Sequence, residues 1–177
     1  MTIQVHDKRF EPYLAEAELQ QRIRELAFEL SHDLEGKKPL FIAILNGSFM
    51  FAADLFKYLT IEAEISFIKL ASYKGTKSTG NVITAIGLEE DLYGRTVVIL
   101  EDIVDTGKTL SQFLPQLRHQ QPSQMLVAAL LHKPAATTHP IHIDYLGFSV
   151  PDKFLLGYGL DYDGLGRNLP EIYQLSE

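Results

Sequence analysis

Cysteine and tryptophan are both absent from this chain of 177 residues. Without cysteine there are no disulfides, no thiolate metal sites and no cysteine nucleophile. Long apolar runs are missing as well, and no stretch approaches the roughly 20 residues needed to span a bilayer as a helix. The opening residues, Met1-Thr2-Ile3-Gln4-Val5-His6-Asp7-Lys8, lack the basic start and apolar run of a signal peptide. The expected compartment is the cytoplasm, with no membrane partner. Positive charge is the minority sign: 16 Lys and Arg stand against 23 Asp and Glu, a net charge of −7. That balance speaks against electrostatic capture of DNA or RNA. It leaves room for an anionic small ligand, because clustered backbone N–H groups and a divalent cation hold phosphates whatever the global charge.

No internal repeat, low-complexity linker or Pro/Gly-rich break divides the chain. One domain over residues 1–177 is expected, long enough to bury about two-thirds of its unfolded surface. Leu19, Ile23, Leu26, Ala27, Leu30 and Leu34 recur at helical spacing, predicting an amphipathic helix that ends near Gly36. Leu40 to Leu45 (LFIAIL) is a short continuous apolar run, the mark of a strand buried on both faces. After Asn46-Gly47-Ser48, Phe49 to Leu59 reads as a helix and Ala63 to Ala71 as a strand. The polar stretch from Ser72 to Asn81 has two glycines and almost nothing to bury, which predicts a mobile segment. Val82 to Gly87 reads as a return strand, Thr96 to Leu100 as a strand, Gly107 to Arg118 as a helix and Gln124 to Leu131 as a buried strand. Ile143 to Val150 and Phe154 to Tyr158 read as further short strands. This alternation predicts an α/β fold with a mostly parallel central sheet flanked by helices. Ligands of such sheets bind at the carboxyl ends of the strands, so the loops after Leu45, Leu100, Leu131 and Tyr158 are the ones of interest.

The loop after Leu100 is the richest in chemistry. Glu101-Asp102 follows a buried strand, and Asp105-Thr106-Gly107-Lys108-Thr109 opens a helix. A helix start rich in Gly and Thr offers unpaired N–H groups, hydroxyls and a positive dipole end to a phosphate. Two adjacent carboxylates beside it accept hydrogen bonds from a sugar diol or help hold Mg²⁺. Simple helix capping needs one Asp or Thr and leaves the other carboxylates unexplained. A nucleoside-triphosphate P-loop also ends in Gly-Lys-Thr, but it needs a glycine where Asp102 stands, and a carboxylate there repels the phosphates.

The run Val97 to Leu110 (VVILEDIVDTGKTL) resembles the phosphoribosyl diphosphate motif of the type I phosphoribosyltransferases. The resemblance implies that family's fold, with a small hood formed by chain-terminal segments. It also implies that Glu101 and Asp102 contact the ribose hydroxyls, directly or through Mg²⁺. Asp105, Thr106, Gly107, Lys108 and Thr109 would then cradle the 5′-phosphate.

Four further segments resemble the hypoxanthine-guanine branch of the family. Leu45-Asn46-Gly47-Ser48 is similar to its pyrophosphate loop; the family often has a basic residue at the position of Asn46, so the backbone is the expected contact. Gly47 allows backbone to approach a diphosphate closely. Ser72-Tyr73 is similar to the start of a loop that closes over the site. Lys133 matches a lysine that donates to the purine 6-oxo oxygen. Gly147 to Tyr162 (GFSVPDKFLLGYGLDY) resembles the purine-binding signature. There Phe154 would stack on the base, a contact commonly worth about 1–3 kcal/mol. The main chain of Leu155 would read the base edge and Asp161 would reach a second Mg²⁺. Arg167 matches an arginine that neutralises the departing diphosphate. His139 and His142 lack an accompanying ligand set and receive no metal role.

The implied reaction is Mg²⁺-dependent transfer of phosphoribose to hypoxanthine, and guanine, with release of pyrophosphate. Asp105 is the candidate catalytic base at purine N7. The resemblance favours a homodimer or homotetramer. Two other classes are compatible with the same fold: an RNA-binding regulator, opposed by the acidity and the purine signature, and a nucleotide sensor without catalysis, opposed by the presence of Asp105.

Overall fold

The computed structural model of the chain describes residues 1–74 and 81–176, with backbone alone for 72–74 and 81–85. Two antiparallel strands, β1 (Ile3–Val5) and β2 (Lys8–Leu14), come first. Helix α1 (Glu16–Asp33) follows, and the Glu18 carboxylate accepts the Ala15 N–H at 3.0 Å to satisfy a donor at its start. Leu19, Ile23, Leu26, Ala27 and Leu30 line its buried face, as their spacing predicts.

The central sheet is built from β3 (Leu40–Leu45), β4 (Glu64–Lys74), β5 (Asn81–Ile86), β6 (Thr96–Val104), β7 (Gln124–His132) and β8 (Tyr145–Ser149). Their order is β5-β4-β3-β6-β7-β8, and every pair is parallel except β4 with β5. Helix α2 (Phe49–Tyr58) joins β3 to β4, and α3 (Lys108–Arg118) joins β6 to β7. Strand side chains alternate between faces. Phe41, Ala43, Val98 and Leu100 pack under α1 and α2, while Leu40, Ile42, Val97 and Ile99 pack under α3. Both faces are covered, so these strands read as unbroken apolar runs.

A second sheet, ordered β1-β2-β10-β9, adds β9 (Leu155–Leu156) and β10 (Ile172–Leu175), antiparallel throughout. It is the hood of chain-terminal segments, with its own small core of Phe10, Leu156 and Tyr173. Among the described residues no helix is long and apolar enough to cross a membrane.

Several boundaries differ from the sequence reading. β6 continues through Glu101 and Asp102 to Val104, because β7 runs beside it and pairs Ile103 with Leu131 and Val104 with His132. The β4–β5 ladder pairs Ser72 with Ile83, Tyr73 with Val82 and Lys74 with Asn81, so both ends of the segment expected to be irregular are strand. A ladder satisfies backbone groups regardless of side-chain polarity, which the polarity criterion does not see. Residues 75–80, and with them the expected closure over the site, lie outside the described residues. The strand expected over 154–158 stops at Leu156 because Gly157 takes φ +99°, which β geometry forbids.

Two buried tyrosines tie the layers together through their hydroxyls. Tyr145 on β8 donates to Asp33 Oδ2 of α1 at 2.8 Å, and Tyr158 donates to Asp54 Oδ2 of α2 at 2.6 Å. Burial, followed by the adjoining carboxylate, pushes both phenols above their ordinary range. The folded state therefore keeps protons that the unfolded chain releases above about pH 10. This contribution to stability is complete below that pH and is lost as the pH climbs beyond it. In an absorbance titration, at least these two of the 8 tyrosines are expected to ionise only as the far-ultraviolet dichroism collapses. Full tyrosine ionisation ahead of unfolding would contradict this.

Candidate active site

The parallel sheet brings the ends of β3, β6 and β7 to one edge, and the turn after β9 closes over them. Leu45 and Asn46 are joined by a cis peptide bond at the end of β3. A Cβ on Gly47 would overlap the Asp102 carboxylate, and a Cβ on Gly159 would overlap the Gly47 carbonyl. The 45–48 loop is therefore held between β6 and the turn after β9 by bare backbone. Buried Ser48 donates from Oγ to the Ile44 carbonyl at 2.6 Å, closing the loop on its own strand.

Glu101 and Asp102 follow one another on β6 and border adjoining pockets. Glu101 borders an open pocket with Asp105, Thr106, Gly107, Lys108 and Thr109. The first-turn N–H groups of α3 border it too, a setting suited to phosphate. Gly107 stands at φ +79° against the His139 carbonyl, where a Cβ would collide. The N–H groups of Thr138 and His139 both donate to the Thr106 carbonyl, at 3.0 and 2.9 Å, bracing the loop from behind. Sequence reasoning missed this brace. Its contacts are main-chain ones, which leave no residue signature.

Asp102 borders the adjoining cleft, shared with Asp105, Lys133, Phe154, Leu155, Asp161 and Arg167. Lys133 is 7% exposed, buried far more than a strand-end lysine usually is. Its Nζ lies 3.3 Å from Asp105 Oδ2 and 3.9 Å from Asp152 Oδ1. Phe154 keeps 42% of its surface exposed. Tyr162 packs edge-on against its ring at 5.7 Å, and Phe10 lies at 6.2 Å. The Lys8 ammonium sits 4.9 Å from the Tyr162 ring centroid and 5.9 Å from that of Phe154. Arg167 donates to Asp161 Oδ1 at 2.8 Å and to the Gly159 carbonyl at 2.7 Å. The other Asp161 oxygen accepts the Gly164 N–H at 2.8 Å. Lys8, Asp152 and Tyr162 were not singled out from sequence, although Tyr162 stands at the end of the purine-like segment.

Burial, and then the neighbouring Asp102 charge, pushes the Glu101 carboxyl well above the usual range. Two carboxylates crowded together with no basic residue between them form a donor set that a divalent cation suits. Mg²⁺ is commonly held by one or two carboxylates, with substrate oxygens and water completing its shell. Among the described residues no group of three or more His, Asp or Glu side chains gathers for a metal. Asp161 stands apart from this pair, engaged by Arg167.

Of the residues expected in the site, Glu101, Asp102, the 105–109 loop, Lys133, Phe154, Leu155, Asp161 and Arg167 surround two adjoining cavities that share Asp105. Gly47 joins them through Asp102. Ser72 and Tyr73 lie on β4, with their side chains outside the description.

A phosphate-sized cradle at a helix start, beside a half-aromatic cleft rimmed by carboxylates, defines a protein built for a phosphorylated ligand and a planar one side by side. The chain belongs to the phosphoribosyltransferases: the sequence model for the phosphoribosyl transferase domain matches residues 11–163. It is 44% identical to a hypoxanthine phosphoribosyltransferase of Buchnera aphidicola, over 90% of this chain and 92% of that protein. It is 41% identical to a hypoxanthine-guanine-xanthine phosphoribosyltransferase of Tritrichomonas foetus, over 90% and 88%. A crystal structure of a hypoxanthine phosphoribosyltransferase from Staphylococcus aureus superposes with a TM-score of 0.87 at 38% identity, covering 94% of this chain and 91% of that one.

Proposed function

We propose that this chain is a purine salvage enzyme that transfers the phosphoribosyl group of phosphoribosyl diphosphate to hypoxanthine, and to guanine, releasing pyrophosphate. The observation that carries this reading is Asp105, the shared wall of the two cavities. A sugar phosphate in the first places its anomeric carbon beside a base in the second. The relatives named for this activity support the same assignment.

In this reading the 105–109 loop holds the 5′-phosphate, and Glu101 and Asp102 hold the ribose hydroxyls. Backbone of Leu45, Asn46 and Gly47, with Ser72 and Tyr73, receives the diphosphate. Phe154 stacks on the purine, the main chain of Leu155 meets its edge, and Lys133 donates to its 6-oxo oxygen. Asp105 takes the N7 proton as N9 attacks, so charge does not accumulate on the base. Arg167 faces the negative charge of the leaving group, which requires it to loosen its hold on Asp161. Glu101 and Asp102, and at a second position Asp161, would hold Mg²⁺, which would supply electrostatic stabilisation of the diphosphate.

The whole of residues 1–177 acts as one domain in this proposal, supported by a core that mixes α1, β3 and the hood-side residues Leu155, Tyr158 and Ile172. The cytoplasm is the proposed compartment. Assembly is as a homodimer or homotetramer; Phe67 and Ile86, exposed on neighbouring strands, are side chains that an interface would cover.

Steady-state turnover with phosphoribosyl diphosphate and hypoxanthine, guanine, xanthine, adenine or uracil tests the reading. Turnover with the first two is expected, and none with any base would refute it. Gly47→Ala forces the loop off Asp102. A misplacement approaching 1 Å can cost up to about 10²-fold, so kcat/KM for phosphoribosyl diphosphate is expected to fall roughly tenfold. An unchanged value would remove the loop from the site.

A further inference from the structure

The turn over residues 157–160 carries three successive left-handed residues: Gly157 at φ +99°, Tyr158 at +46° and Gly159 at +98°. Left-handed backbone is strained for a bulky aromatic and persists only where the surroundings hold it. Both glycines are wedged against backbone, Gly157 on the Glu171 carbonyl and Gly159 on the Gly47 carbonyl. Tyr158 is therefore the anchoring side chain of the turn. It is 2% exposed and lies in the core formed with α1 and α2. Its hydroxyl donates to Asp54 Oδ2, an oxygen that also accepts Gln20 Nε2 of α1 at 2.7 Å.

Asp54 belongs to the same helix that the 45–48 loop opens into, roughly two turns further along. The turn thus grips this unit twice: at the loop through Gly159 on Gly47, and along the helix through Tyr158 on Asp54. The Gly159 carbonyl in addition accepts Arg167 Nη1, and the Gly159 N–H donates to the Arg167 carbonyl at 3.0 Å. One turn therefore sets both the loop and the arginine.

We infer that Tyr158 and Asp54 are a positioning pair for the diphosphate half of the site: their bond fixes the 157–160 turn, which in turn places the 45–48 loop and Arg167. Neither residue touches the ligand. The inference rests on the proposed assignment of that loop and arginine to the diphosphate. The base half of the site is held by other contacts: Phe154 by Phe10 and Tyr162, and Lys133 by Asp105.

The test is Tyr158→Phe, which deletes the hydroxyl and keeps the ring, read beside Asp54→Ala. Both are expected to raise KM for phosphoribosyl diphosphate and the inhibition constant of pyrophosphate. Changes carried through a connecting network typically amount to roughly 2- to 30-fold. KM for hypoxanthine should stay within about twofold. The control is Tyr145→Phe, which removes a matched buried tyrosine–aspartate bond on β8 away from the cleft; it should lower the melting temperature and leave every kinetic constant unchanged. If Tyr158→Phe does not fold, Asp54→Ala, which removes the acceptor of the Tyr158 hydroxyl outright, gives the same reading. Unchanged KM for phosphoribosyl diphosphate, or equal losses toward both substrates, would overturn the inference. A wild-type protein inactive with phosphoribosyl diphosphate would instead overturn the functional assignment beneath it.

Discussion

Asparagine in place of Asp105 is expected to lower kcat about a hundredfold or more, with fold and nucleotide affinity nearly intact. The substitution keeps size and shape and changes only basicity. Its amide oxygen still accepts from Lys133, so the 3.3 Å contact survives in form. Lys133 also faces Asp152 at 3.9 Å, so it is not left without a counter-charge. What disappears is the capacity to take a proton from the purine as its new bond forms. Single-turnover kinetics, with calorimetric binding of the product nucleotide as the control, separates this loss from a binding defect. A variant retaining most of its kcat would exclude Asp105 as the base.

Discrimination against adenine should be larger still. Lys133 is buried and can only donate, so a 6-oxo oxygen completes it, whereas a 6-amino group meets donor with donor. Sites built around a buried polar partner reject analogues lacking its complement by about 10⁴-fold or more. The kcat/KM for adenine is expected to lie below that for hypoxanthine by that order. Lys133→Met should compress the ratio mainly by lowering turnover of hypoxanthine. Adenine turnover comparable to that of hypoxanthine would overturn the 6-oxopurine assignment, whatever else the fold supports.

Much of this was legible before any coordinates. The β3, β6 and β7 runs are apolar because both faces are covered, and that burial writes itself into composition. The 105–109 loop stands out because glycine, hydroxyls and a helix start fall together in one short run, the pattern that phosphate recognition calls for. The hood strands were harder. Lys8–Leu14 and Ile172–Leu175 mix polar and apolar residues, and each becomes a strand because the other lies beside it, as in the pairing of Tyr173 with Pro12. No local window contains that partner. The Lys133–Asp105 pair spans 28 positions, and the brace on Thr106 rests chiefly on main-chain N–H groups. The extensions of β6 and of the β4–β5 hairpin follow from neighbouring backbone rather than from side chains.

The hood also carries a consequence for the order in which the molecule comes into being. β9, which follows Phe154 directly, is bordered by β10, and β10 in turn borders β2 from near the start of the chain. The Leu175 N–H donates to the Phe154 carbonyl at 2.9 Å. A nascent chain leaving the ribosome can add β6 and then β7 to the central sheet as each emerges, since β6 finds β3 and β7 finds β6 already made. The wall proposed to bind the base has no such early route. It closes only once residues 172–175 have emerged and threaded between the first strands and the ninth. A polypeptide stalled at about residue 165 would therefore already hold the 105–109 loop proposed for phosphate, while the wall proposed for the purine would still be open.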